Sequence, residues 1–130
     1  MPVASRVSPM KSTKLVVKVM AGANDPERCA QAFTVASTAL ASGAEVSLWL
    51  TGEAAWFAIP GKCEEFELPH SAKLADLRDA ILAGGKITLC TQCAVRRGIN
   101  DGDQIPGIVI AGAASFVEEI LQPNVQALVY

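Results

Sequence analysis

Apolar and polar positions recur along this chain in two periods, and the switches between them mark its elements. Lys14 to Met20, "KLVVKVM", is a β-branched run and predicts a first strand. "AGANDPERC" follows: Asn24 or Asp25 can cap a helix, Pro26 suits its first turn, and Glu27 favours its positive end. That helix is expected to run to about Ser42 and stop at Gly43. Glu45 to Thr51, "EVSLWLT", predicts the second strand. The next stretch is less periodic, with a short helix before Pro60 and then a loop. Leu74, Leu77 and Ile81 fall at helical spacing, so a helix is expected over Ser71–Ala83, capped by Ser71, with Arg78 and Asp79 on another face. Lys86 to Cys90 predicts a third strand, and Thr91 to Arg97 a short helix closed by Gly98. Ile108–Ala111, Ala113–Leu121 and Val125–Tyr130 complete the pattern as strand, helix and strand.

Strands alternating with helices imply an α/β fold with a parallel sheet covered on both faces. Right-handed crossovers then bring the carboxyl ends of the strands to one edge, where ligands collect in such folds. The loops at Ala21–Asp25, Thr51–Glu53, Cys90–Cys93 and Ala111–Ala113 are expected to open there.

The chain's 130 residues amount to a single domain, expected over 14–130. Residues 1–13, "MPVASRVSPMKST", lack an apolar signal core and are expected to be a flexible tail. The net charge is −2 with no basic stripe, which argues against direct nucleic-acid binding. The longest uncharged run, Cys29–Ala44, contains several polar residues and is too short for a membrane span. A cytoplasmic protein is expected, whose thiols stay reduced. Apolar residues make up 51% and charged residues 18%, a low charge for a small monomer, and this points to subunit contacts. The apolar patch Trp56-Phe57-Ala58-Ile59-Pro60 is either core or interface, and the low charge favours interface.

The candidate chemistry lies in "LCTQCAVRRG", residues 89–98. Cys90 ends a predicted strand and Cys93 lies in the first turn of the next helix. A helix start favours thiolate, and Arg96 and Arg97, three and four residues beyond Cys93, add positive charge if they turn that way. Spacing alone leaves this open: two small buried hydrophobes fit a parallel sheet equally well. A metal site has little support, because Cys29 and Cys63 are isolated and His70 is the single histidine. Cys29 reads as core or helix-face, and Cys63, beside Glu64 and Glu65, as an exposed loop thiol made less acidic by its neighbours. No cofactor is implied: "AGAN" is neither a phosphate loop nor a dinucleotide fingerprint.

"KITLCTQCAVRRGI" resembles the cysteine segment of the DsrE/DsrF-like family, which includes the TusD-type sulfur-relay subunits. In that family a strand ends in a cysteine, and a basic, glycine-terminated helix end follows; Cys90 matches the sulfur-carrying position and Arg96-Arg97-Gly98 the "RRG". The resemblance runs over roughly Lys14 to Tyr130. It implies a three-layer α/β/α domain with a five-stranded, mainly parallel sheet, in homo- or hetero-oligomers, commonly trimers or hexamers. It implies further that Cys90 accepts sulfur as a persulfide and hands it on between donor and acceptor proteins. TusD-type subunits have no cysteine matching Cys93, so the resemblance carries the chemistry more than a tRNA-thiolation pathway.

The expectation is therefore a small sulfur carrier, or sulfurtransferase, with Cys90 as nucleophile and Cys93 as the thiol that resolves the persulfide. Backbone N–H groups at Thr91 and Gln92, the side chains of Arg96 and Arg97, and the glycine loops at Gly22 and Gly112 are its expected supports. The alternatives are an oligomeric binding module with inert cysteines, and a dithiol redox protein using Cys90 and Cys93.

Overall fold

The computed structural model describes residues 13–130, so all of the expected tail except Thr13 lies outside the described residues. Five strands form one sheet: β1 (Lys14–Val19), β2 (Glu45–Leu50), β3 (Lys86–Cys90), β4 (Val109–Ala111) and β5 (Val125–Val129). Their order is β4-β3-β2-β1-β5, and every neighbouring pair is parallel. The helices are α1 (Pro26–Ala41), α2 (Lys62–Glu65), α3 (Leu74–Gly84), α4 (Thr91–Arg96) and α5 (Ala113–Ile120), with a 3₁₀ segment at Gly52–Ala58.

Side chains alternate across each strand, and this parity defines two faces. Val17, Val19, Leu48, Leu50, Ile87 and Leu89 point to one face and form the core with Cys29, Phe33 and Ala36 of α1 and Leu74 and Ile81 of α3. Lys14, Lys18, Ser47 and Trp49 point to the other. There α5 supplies the cover, through Phe116 set edge-on to Trp49 at 5.3 Å and Glu119 bonded to Ser47 and Trp49. The chain steps from β1 to β4 in one direction and returns to β5 in the other. The right-handed rule therefore places α5 opposite α1 and α3.

Local signals explain most boundaries. Asp25 caps α1, its carboxylate accepting from the Arg28 N–H, and Gly43 follows the helix end in the left-handed region at φ 97°. α3 starts later than expected, at Leu74 with Lys73 as N-cap, because the Ser71 hydroxyl donates to the Ala72 carbonyl instead of capping the helix.

The segment expected to be a loop holds α2. Cys63 within it is 1% exposed, not an exposed loop thiol. Arg78, expected on a different face from Leu74, Leu77 and Ile81, is also buried. It makes a two-pronged pair with Glu64, at 3.1 Å on each oxygen, and a second contact with Asp79, tying α3 to α2. The Trp56–Pro60 patch proves to be mainly core. Phe57 and Ala58 are buried, and Phe57 lies edge-on between Phe33 and Phe66, at 6.2 and 5.7 Å.

Candidate functional site

Because the sheet is parallel, the carboxyl ends of β1 to β4 share one edge. Cys90 ends β3 there and serves as the N-cap residue of α4; Cys93 sits at the third position of that helix. By parity Cys90 belongs, with Lys86 and Thr88, to the face covered by α5, and it lies opposite Ala111 of β4. The chain then turns to the other face, where Cys93 and Ala94 join the core. After β4 it turns the opposite way, into α5. Adjacent strands β3 and β4 thus send their helices to opposite faces, and between such strands α/β sheets open their ligand crevice. The two turns meet closely: a Cβ on Gly112 would stand 3.8 Å from Thr91 Oγ1.

The thiols are sharply sorted by their surroundings. Burial, the largest influence on Cys90, opposes its ionisation. The Cys93 N–H, the Cys93 side chain, the Gln92 N–H and the charge of Lys18 together outweigh it and hold Cys90 below the usual thiol range. The N–H groups act on the sulfur as oriented dipoles, without forming a regular capping bond. Burial pushes Cys29 up to about 12 and Cys63 up to about 11, so neither is a nucleophile at neutral pH.

The supporting residues are placed differently from expectation. Arg97 does not turn to Cys90: its Nε and Nη2 reach Glu53 Oε2 at 3.0 and 2.8 Å, and Nη1 donates to the Cys93 carbonyl at 3.1 Å. Arg96 is exposed on the outer side of α4. The cation acting on Cys90 is instead Lys18, which comes from β1 and lies 5.2 Å from the Phe116 ring centre. The useful N–H groups are those of Gln92 and Cys93 rather than Thr91. Gly22 packs against the Glu53 backbone, where a Cβ would come within 2.7 Å of the carbonyl oxygen, so it keeps the β1 and β2 loops together at the site's flank. Lys18 carried no signal in the sequence, because lysine in a strand is common everywhere; Gly52 and Glu53 were expected at this edge only as part of the Thr51–Glu53 loop, with no role assigned.

Among the described residues no group of three or more His, Cys, Asp or Glu side chains is arranged to hold a metal ion, and no helix is long and apolar enough to cross a membrane.

Comparison with known proteins bears on family and fold. The family model described as "DsrE/DsrF-like family" matches residues 13–126. The uncharacterized protein MJ0760 of Methanocaldococcus jannaschii is 32% identical over 117 residues, covering 89% of this chain; the chain spans 42% of that relative's length. Two solved structures share the fold. The ychN protein from E. coli superposes with a TM-score of 0.74 at 17% identity, covering 92% of this chain and 100% of that one. MTH1491 of Methanobacterium thermoautotrophicum, a protein of unknown function, gives 0.68 at 9% identity with the same coverage.

Proposed function

The chain belongs to the DsrE/DsrF-like family, and from that premise we propose that it is a sulfur carrier, sulfurtransferase-like, that holds sulfur as a persulfide on Cys90. The observation that carries this reading is the sorting of the thiols. Cys90 combines a thiol held below the usual range, and so readily ionised, with a place at a strand end on the crevice edge. In loading, the Cys90 thiolate attacks the terminal sulfur of a donor persulfide. A Cys90–sulfur bond forms, the donor's S–S bond breaks, and the donor leaves as a thiolate. Unloading is the same exchange with an acceptor thiolate as attacker. Neither step changes the overall oxidation level, so no cofactor is required. Such chemistry fits a reducing, cytoplasmic setting, with sulfur donor and acceptor proteins as partners.

The test is to incubate the reduced protein with a small-molecule persulfide and locate added mass by tandem mass spectrometry. One extra sulfur is expected on Cys90, and none in Cys90→Ser. Absence of labelling on both Cys90 and Cys93 removes the reading.

A homo-oligomer, trimer or hexamer, is part of the same proposal. Leu121 of α5 and Val129 of β5 are 75% and 63% exposed, Val117 and Leu128 are also exposed, and β5 is an edge strand. Light scattering is expected to give three or six chain masses. A monomer at micromolar concentration contradicts this.

The nearness of Cys93 to Cys90 favours one second reading, a dithiol redox pair. It requires a reversible Cys90–Cys93 disulfide and no retained sulfur after the same treatment.

A further inference from the structure

Cys93 is held at two points, directly by the loop that follows β2 and through Arg97, which is pinned to that loop. The Gly52 N–H donates to its sulfur at 3.2 Å, and Arg97, itself locked by two bonds to Glu53, donates to its carbonyl at 3.1 Å. The approach of Gly52 depends on its being glycine. Its φ is +52°, and a Cβ there would come within 2.9 Å of the Met20 carbonyl oxygen. Cys93 is 8% exposed, poor access for a thiol that must attack an incoming group, and the more open sulfur is that of Cys90. A thiol whose sulfur accepts an N–H from one side is free to direct its own S–H to the other. In a capping box the side chain at the third helical position reaches back toward the N-cap residue, and the N-cap residue here is Cys90.

We propose that Cys93 is a positioning residue, an S–H donor to the Cys90 sulfur, and that Glu53 and Arg97 hold it in that orientation. This deepens the sulfur-carrier reading and rests on it for its biological sense. The donated hydrogen bond steadies the Cys90 thiolate before loading and the anionic sulfur after it. Cys93 then has a task that requires no disulfide, and the C-x-x-C spacing follows from the N-cap geometry. The bonds of Glu53 and Arg97 run to each other and to the Cys93 carbonyl, so they act through Cys93.

The experiment reads the pH profile of Cys90 alkylation by iodoacetamide, site by site, with tandem mass spectrometry. Cys93→Ala is expected to move the midpoint up by about one pH unit and to slow Cys90 alkylation at neutral pH by roughly tenfold. Cys93→Ser keeps a donor of similar size and is expected to stay within about threefold of the parent, although it can form no disulfide. Glu53→Gln and Arg97→Gln are expected to slow alkylation by about threefold, in the same direction as Cys93→Ala. An unchanged profile in Cys93→Ala overturns the proposal, and so does a Cys93→Ser profile that follows Cys93→Ala. The profile needs no sulfur donor. Shifts of the expected kind without persulfide loading would remove the carrier function and leave the donor role standing; loading with flat profiles would do the reverse.

Discussion

Phe33→Ala is expected to cost about 3–5 kcal/mol of folding stability, the range for emptying a buried aromatic site. Phe33 is fully buried on the inner side of α1, and its ring meets Phe57 edge-on at 6.2 Å with an interplanar angle of 89°. Phe57 in turn meets Phe66 at 5.7 Å. The aromatic row therefore joins α1 to the 3₁₀ segment, so the site left by Phe33 has rigid walls and collapses poorly. The same segment begins with Gly52 and Glu53, the residues that hold Cys93. Urea unfolding at neutral pH is the measurement. Phe33→Leu, which refills much of the space, is expected to lose far less, about 1 kcal/mol. Equal losses in the two variants would mean that the ring's fit is not what matters.

Glu119→Ala is expected to cost about 2–3 kcal/mol, because it strips partners from three groups at once. One carboxylate oxygen accepts from Trp49 Nε1 at 2.7 Å and Ser47 Oγ at 3.1 Å, and the other meets Lys14 Nζ at 2.8 Å. α5 has no buried residue of its own, so these bonds and the Phe116 contact are its main attachment to the sheet. The figure stays below that of a fully buried pair because the Lys14 side chain keeps 25% exposure and water screens it.

The pH dependence has a definite sign. Burial works against ionisation of Glu119, but Lys14, Trp49 and Ser47 outweigh it and hold the carboxyl below its usual value of 4.5. The unfolded chain therefore binds the proton first. The stabilisation is complete above pH 4.5 and fades as pH falls through the lower folded value. Lys14 is raised above 10.5; burial opposes this shift, and Glu119 is its main cause. Its share is complete below that pH and is lost on passing the folded value. The stability gap between parent and Glu119→Gln is thus expected to be flat from about pH 5 to 10 and to narrow in acid. A gap that widens below pH 4 would contradict the assignment.

Much of the architecture was legible in the sequence because strand and helix periods are local. The β-branched runs at Lys14 and Glu45, the Asp25-Pro26 start of α1 and its stop at Gly43 all act within a few residues. Cys90 was legible too, through its place between an apolar run and a helix start. What escaped was set by distant parts of the chain. Nothing near Arg97 announces Glu53, which lies 44 residues away, so its guanidinium could not be separated from a role at the thiolate. Lys18 reaches Cys90 across an intervening strand, and only the strand order reveals it. Cys63 and Arg78 sit among charged neighbours that suggest solvent, yet the Arg78–Glu64 pair allows both to be buried.

The short β4 has a consequence for how the site is reached. It is three residues long and forms an edge of the sheet, so it is the strand with the fewest bonds to break in a local opening. Amide hydrogens there are expected to exchange with solvent far sooner than those of β1 or β2, through sub-global breathing that leaves the core intact. Cys90 lies directly beside that strand. A bulky partner can therefore gain room at the sulfur through a fluctuation of one margin of the domain, while the walls that tune the thiolate stay shut.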